Sequence, residues 1–173
     1  MSTPPEPERF SFVLEAVIRP AAADDLPALE WMGLHSPQRS VIRDAFAAQL
    51  RGDGLMLLAV SAGFPVAQVW LDLVRRRSEG IAVLWAVRTF PPLQGAGIGR
   101  RLMEAAESEL RRRGIMRAEL VVERANGGAR RFYERLGWRA VRPIEERYWI
   151  PDEAGLAVEH QLEGWLMAKD LPP

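Results

Sequence analysis

A glycine-rich turn followed by two arginines is the clearest candidate for a ligand site in this chain. Three glycines alternate with other residues in the segment 94–99, and Arg100 and Arg101 follow where a helical pattern begins. A helix start favours anions, because its first N–H groups are unpaired and the helix dipole is positive there. Glycines let the main chain approach a ligand closely. The pattern predicts an anion site, with the alternative that the arginines only pair with Glu104 on the surface.

Residue spacing distinguishes this turn from two common phosphate-binding loops. A dinucleotide fingerprint that began at Gly95 and Gly97 would need a third glycine at the position of Arg100. The Gly-Lys-Ser/Thr sequence of nucleoside-triphosphate loops is absent. The chain has no cysteine and only two histidines, His35 and His160, so thiolate chemistry is excluded. A metal site or a Ser-His relay is not predicted.

Hydrophobic periodicity and turn residues predict the elements that must position the turn. Strands are predicted at 13–20, 55–74 (two strands joined at 62–63), 81–89, 116–123, 138–142 and 162–171. Helices are predicted at 24–32, 36–50, 98–113 and 126–137, and the segment 143–160 is predicted to be irregular. This order predicts an α/β fold with a mixed sheet and helices on both faces. Residues 1–9 are expected to form a flexible tail before a single domain at 10–173.

Composition limits the classes of partner. The 23 basic and 23 acidic residues cancel, so no net field favours nucleic acid or a membrane surface. No apolar run is long enough to span a bilayer, and the first residues lack the pattern of a secretory signal. With the absence of cysteine, these features predict a cytoplasmic protein, and homodimer formation stays open.

Two motifs resemble those of the GNAT-type N-acetyltransferases, which bind acetyl-coenzyme A. Residues 94–99 match the family's Q/R-x-x-G-x-G/A pyrophosphate motif, and Pro91 precedes them where the family commonly has proline. The segment N-G-G-A-R-R-F-Y-E-R-L-G-W at 126–138 is similar to the family's N-x-x-A-x-x-F/L-Y-x-x-x-G-F/W segment. The resemblance is close over 81–140. It implies a mixed sheet of six to seven strands, splayed between the fourth and fifth strands and flanked by about four helices.

The resemblance also implies which residues hold the cofactor. The pantetheine arm would lie between the splayed strands, and the pyrophosphate on the amides of the glycine turn. Asn126 would cap a helix and contact the arm, and Tyr133 would be the general acid for the departing thiolate. The alternative for Tyr133 is a core tyrosine with a satisfied hydroxyl. The implied cofactor-binding residues are Val87, Arg88, Thr89, Gln94, Gly95, Ala96, Gly97, Ile98, Gly99, Arg100, Arg101, Asn126 and Tyr133.

The general base and the acceptor are less clearly indicated. Family members carry a base glutamate where this chain has Ile81 or Val121. Since strand side chains alternate, the candidates on the same faces are Glu79, Glu119 and Glu123.

By resemblance, Trp31, His35, Tyr148 and Trp149 would frame the acceptor. The expected reaction is direct attack on acetyl-coenzyme A by a primary amine of a small molecule, peptide or protein, in a ternary complex. The alternative is a non-catalytic acyl-coenzyme A sensing or assembly module.

Overall fold

A seven-stranded sheet forms the framework of the described residues in a computed structural model, which covers residue 11, residues 13–151 and residues 156–173. In chain order the strands are β1 (Val17–Pro20), β2 (Gly54–Ser61), β3 (Phe64–Arg76), β4 (Ile81–Thr89), β5 (Arg117–Glu123), β6 (Arg139–Pro151) and β7 (Ala157–Asp170). Their spatial order is β1-β2-β3-β4-β5-β7-β6. The α-helices are α1 (Arg39–Arg51), α2 (Ile98–Arg112) and α3 (Gly127–Arg135). The predicted tail at 1–9 lies outside the described residues.

The sheet splits between β4 and β5. These two strands are parallel and pair only from Ile81 to Leu84, opposite Arg117 to Leu120. Beyond that point β5 stays paired with β7, while β4 follows β3 through a bulge. The bulge residue is Ala86, whose φ of 49° lies in the left-handed region. The predicted mixed fold with a splay between the fourth and fifth strands is therefore confirmed.

Two apolar layers hold the split sheet. On one face, called the α2 face below, α2 buries Leu102, Met103, Ala106 and Leu110 completely, at the helical spacing expected of an amphipathic helix. This core includes Tyr133 from α3. On the opposite face, the α1 face, the core is made by α1, β2 and β3, and its buried members are Ala21, Leu29, Ile42, Ala45, Met56, Leu58, Val60 and Trp70.

The predicted helix at 24–32 is wrong. Residues Ala23–Asp25 and Ala28–Glu30 form two short 3-10 helices instead. Pro27 lies between them and has no N–H to donate to a continuous helix. Trp31 and Met32 then adopt positive φ values, which end the helical path.

The prediction of irregular structure at 143–160 is also wrong for the described residues. β6 continues to Pro151, and β7 begins at Ala157, so the two strands form a long antiparallel hairpin. Proline and charged residues interrupt the alternation of apolar and polar residues that would have predicted a strand here. Both are tolerated here because β6 is an edge strand, where one side of the backbone needs no partner.

Within the described part of the chain, none of the helices combines the length and apolar character that a membrane span requires.

Candidate active site

A cleft of about 1130 Å³ opens where the end of β4, the start of α2 and the helix α3 meet. It brings together almost all of the residues predicted to hold a cofactor. Ala96 and Arg101 are the two predicted residues outside its lining. The predicted residues that do line it are Val87, Arg88, Thr89, Gln94, Gly95, Gly97, Ile98, Gly99, Arg100, Asn126 and Tyr133.

The three glycines of the turn are needed for two different reasons. Gly95 and Gly97 have φ values of 83° and 80°, a conformation that side chains disfavour. Gly99 has ordinary backbone angles, but a Cβ there would lie 3.2 Å from Oγ1 of Thr89 and 3.5 Å from Cζ of Phe132. Backbone conformation therefore selects the first two glycines, and close packing of α2 against β4 and α3 selects the third.

The start of α2 leaves hydrogen-bond donors free. Gly97 is the N-cap residue and provides no side-chain cap. The first amides of an α-helix have no acceptor inside the helix. No acidic residue lies in the first turn to compensate them. This helix start can therefore donate several N–H groups to an anion in the cleft.

Arg100 also pairs with Glu104, as the alternative interpretation of the sequence predicted. Its Nε donates to Oε1 of Glu104 at 2.8 Å, one helical turn away, and its side chain is 70% exposed. Both residues line the cleft. Arg101 has no ion pair among the described residues. The pair with Glu104 thus restrains the guanidinium of Arg100 at the mouth of the cleft, whereas the guanidinium of Arg101 is exposed to solvent.

Tyr133 lies at the inner wall of the cleft. It is buried, and its ring makes edge contacts with Phe132 and Trp138 at centroid distances of 5.1 and 6.1 Å. Burial raises the pKa of the phenol above its ordinary value, so the hydroxyl keeps its proton. No hydrogen bond to that hydroxyl is found within the described ranges. The alternative interpretation, a core tyrosine with a satisfied hydroxyl, requires a hydrogen-bond partner that the described residues do not provide. The hydroxyl is therefore available to a ligand.

Asn126 caps α3, as predicted. Its Oδ1 accepts a hydrogen bond from the backbone N–H of Ala129 at 3.0 Å. The residue also lines the cleft, so the cap places a polar side chain opposite the glycine turn.

The three candidate bases lie at different ends of the split. Glu79 and Glu119 both bind the guanidinium of Arg76. Glu119 is only 3% exposed and lies opposite Val83, in the part of the sheet where β4 and β5 are still paired. Glu123 is exposed at the end of β5, about 13 Å further along the strand. Of the three, Glu123 is the one at the open end of the split.

The residues proposed to frame an acceptor are dispersed. Trp31 is buried, and its Nε1 donates to the carbonyl of Pro65 at 2.8 Å. His35 packs beside that indole, with 5.2 Å between the ring centroids. Tyr148 and Trp149 lie on the outer half of β6, and Trp149 is 61% exposed. Trp31, His35 and Trp149 do not line the cleft.

A buried ion pair at the base of the cleft is absent from the sequence predictions. Nζ of Lys169 donates to both carboxylate oxygens of Glu107, at 2.8 and 2.7 Å, and to the carbonyl of Leu136 at 2.6 Å. The indole of Trp138 donates to the same carboxylate at 3.2 Å. Two features pointed to it: Lys169 is the only lysine of the chain, and Glu107 interrupts the apolar face of α2. Glu107 also pairs with Arg111, one helical turn away on α2, at 3.7 Å.

Comparison with known proteins settles the family. The model of the acetyltransferase (GNAT) family matches residues 21–138. The chain belongs to the GNAT acetyltransferase family. The fold agrees with that of the ribosomal-protein-S18-alanine N-acetyltransferase from Escherichia coli, with a TM-score of 0.68 and 23% identity over 92% of this chain and 96% of that one. A putative acetyltransferase from Salmonella typhimurium, solved with acetyl-coenzyme A, gives a TM-score of 0.70 and 20% identity over 92% and 95% of the two chains.

A curated relative is more similar in sequence over a shorter region. The mycothiol acetyltransferase of Beutenbergia cavernae is 37% identical over 100 residues, which are 58% of this chain and 29% of the relative. The matched region therefore spans less than a third of that relative's length.

Proposed function

We propose that the cleft binds acetyl-coenzyme A and that the protein transfers the acetyl group directly to an amine. One observation carries the proposal: the glycine turn, the end of β4 and Tyr133, whose hydroxyl has no hydrogen-bond partner among the described residues, all line one cleft. Membership of an acetyltransferase family supports it. The bound acetyl-coenzyme A of the Salmonella relative supports the choice of cofactor.

Each part of the cofactor has a matching part of the cleft. The pyrophosphate accepts hydrogen bonds from the first amides of α2, and the positive end of the helix dipole stabilises its charge. The pantetheine arm lies in the split, along the backbone of Val87, Arg88 and Thr89. Because the pairing of β4 with β5 ends at Leu84, this stretch of β4 has one edge free to bond with the arm.

The reaction follows from the groups available. The neutral amine attacks the thioester carbonyl, the new C–N bond forms as the C–S bond breaks, and the thiolate takes the proton of the Tyr133 hydroxyl. The proton released by the amine passes to Glu123, directly or through a water, because Glu79 and Glu119 are engaged with Arg76. With no cysteine in the chain, the acetyl group stays on coenzyme A until the amine attacks.

The proposed acceptor is a primary amine of a small molecule, a peptide or a protein. The names of the relatives point to different acceptors, mycothiol in one and an alanine of a ribosomal protein in another. The balanced charge of the chain favours neither nucleic acid nor a membrane as partner, and the absence of cysteine suits the reducing cytoplasm.

A non-catalytic acyl-coenzyme A module is the second candidate. The engagement of Glu79 and Glu119 with Arg76 favours it, because it removes two of the three possible bases. The free hydroxyl of Tyr133 favours the enzyme.

Binding and turnover measured side by side separate the two functions. Calorimetry with acetyl-coenzyme A tests the site, and release of free thiol with a panel of amines tests the reaction. We expect binding together with amine-dependent thiol release. Binding without release from any amine would establish the module, and absence of binding would refute both functions.

A further inference from the structure

An arginine without a counter-ion lies beside the split in the sheet. Arg88 is half-buried on β4 and lines the cleft. Burial lowers the pKa of its guanidinium, and no acidic group in the described part of the chain opposes that effect. Buried charges are normally paired, because removing them from water is costly. A half-buried guanidinium that has no ion pair among the described residues is therefore suited to an anionic ligand.

The side chain of Arg88 belongs to the α1 face, away from the helices α2 and α3. Its Cα is paired with that of Gln68 on β3, and directly opposed residues of antiparallel strands project to the same face. Gln68 is in turn paired with Leu58, a member of the core on the α1 face. Arg88 can therefore offer its backbone to the cofactor arm and its side chain to a ligand on the other face.

Two further polar groups beside Arg88 are unsatisfied. Gln68 is 1% exposed, and neither its amide oxygen nor its amide nitrogen has a hydrogen-bond partner in the described residues. Nε2 of His35 is likewise buried without a partner. Burial lowers the pKa of His35, and the positive charge of Arg88 lowers it further. Buried polar groups are rarely left without partners, so this cluster indicates a missing ligand.

We propose that Arg88, Gln68 and His35 form a subsite that holds a carboxylate carried by the acceptor amine. The planar guanidinium matches the two oxygens of a carboxylate, and the amide of Gln68 and the imidazole can each donate one further hydrogen bond. Arg88 follows Val87 directly in the stretch of β4 proposed to hold the pantetheine arm, so the subsite would adjoin the proposed cofactor site. A free amino acid or a short amino-carboxylate meets this requirement. The inference rests on the proposed acetyltransferase function.

Matched acceptors test the subsite. L-amino acids and their carboxamides differ only in the carboxylate, so their kcat/KM values are compared pair by pair in the thiol-release assay. For the amino acids that are the best acceptors, we expect kcat/KM to exceed that of the matching carboxamide by about 10- to 100-fold, the range for hydrogen bonds to a charged group. Arg88→Gln should abolish this ratio, mainly through an increase in KM for the acid, and the acid-to-amide ratio is the readout for this variant because Arg88 also lies along the proposed cofactor arm. Arg142→Gln, a change at an exposed residue of β6, is the matched control and should preserve the ratio.

The amide group of Gln68 gives a second variant that should fold well. Gln68→Met keeps the volume and removes polar atoms that have no partner, so the melting temperature should stay the same or rise. The acid-to-amide ratio should nevertheless fall by about 3- to 10-fold, since a neutral hydrogen bond is lost.

Binding measurements keep the subsite separable from the reaction. The same acids and amides are titrated calorimetrically into the complex with coenzyme A. Preferential binding of acids that disappears in Arg88→Gln would support the subsite even if no thiol were released, and then only the proposed reaction would fail. Equal kcat/KM values and equal affinities for acids and amides would overturn the subsite while leaving acetyl transfer intact. A loss of coenzyme A affinity in Arg88→Gln as large as the loss of activity would also overturn it.

Discussion

Replacing Tyr133 by phenylalanine isolates the one hydroxyl that the cleft offers as an acid. The ring is held by Phe132 and Trp138, and these contacts survive in Tyr133→Phe. The hydroxyl itself has no hydrogen-bond partner among the described residues, so its removal strands no buried group. The variant should therefore fold as the parent does, with a melting temperature within about 2 °C.

The expected kinetic effect is large by comparison. General acid catalysis contributes about 100- to 10,000-fold, which corresponds to about 2.7 to 5.4 kcal/mol of barrier. A thiolate is a moderate leaving group, so we expect the lower part of this range in kcat. Burial raises the pKa of Tyr133, and a raised phenol pKa means that the acidic form persists above pH 10. Rates of the parent enzyme should therefore show no loss of the acid between pH 7 and 10.

The assay is thiol release at saturating acetyl-coenzyme A, with an acceptor found in the amine screen. Cofactor affinity and melting temperature are measured on the same preparations, and the affinity should be nearly unchanged. A folded Tyr133→Phe protein with the parent kcat would remove Tyr133 from the mechanism. A loss of several degrees in melting temperature with normal turnover of the folded protein would instead establish the core role.

Three further changes test the cleft. Gly97→Ala should lower the free energy of unfolding by about 1–3 kcal/mol, because the residue has a positive φ, and should also weaken the binding of acetyl-coenzyme A. Gly80→Ala is the control, since Gly80 has a φ of 70° in a turn outside the cleft. It should show the same loss in melting temperature with a normal calorimetric affinity. Arg100→Ala should weaken coenzyme A more than pantetheine in calorimetric titrations, and equal losses would assign the arginine to the fold alone. Lys169→Met should lower the free energy of unfolding in urea by about 1–3 kcal/mol, because the buried carboxylate of Glu107 loses its shortest hydrogen bonds and keeps only the indole of Trp138 and the 3.7 Å pair with Arg111, and an unchanged free energy of unfolding would contradict that account.

The cofactor half of the cleft could be predicted from the sequence because local chemistry fixes it. Gly95 and Gly97 adopt backbone angles that depend on the turn itself, and Asn126 caps a helix that begins at the next residue. Each of these features depends on residues that lie within a few positions of one another, so a short sequence motif is enough to predict it. Tyr133 follows from the same helix, since its position relative to Asn126 is set by helical geometry.

The ion pair of Glu107 with Lys169 could not be predicted in the same way. The two residues are 62 positions apart and meet only because β7 inserts between β5 and β6. Arg111, four residues away on the same helix, satisfies the helical spacing rule for an ion pair and lies at 3.7 Å. The shorter hydrogen bonds come from Lys169 of β7, which helical spacing alone does not reveal.

The candidate bases show the same limit. Alternation correctly places Glu119 and Glu123 on one face of β5, but it does not reveal that Arg76 binds the first of them. That partner comes from the end of β3, a strand that does not touch β5 in the sheet. The strand pattern gives the direction of a side chain, and only the fold gives its neighbours.

The two faces of the split sheet differ in how completely their polar groups are satisfied. On the α2 face the carboxylate of Glu107 is paired with Lys169, so this charge is satisfied without a ligand. On the α1 face Gln68 and Arg88 lack partners among the described residues, which lowers the stability of the free protein. A polar site that is unsatisfied without ligand discriminates strongly against ligands that cannot satisfy it. The unsatisfied polar groups of the α1 face therefore suit selection of the acceptor.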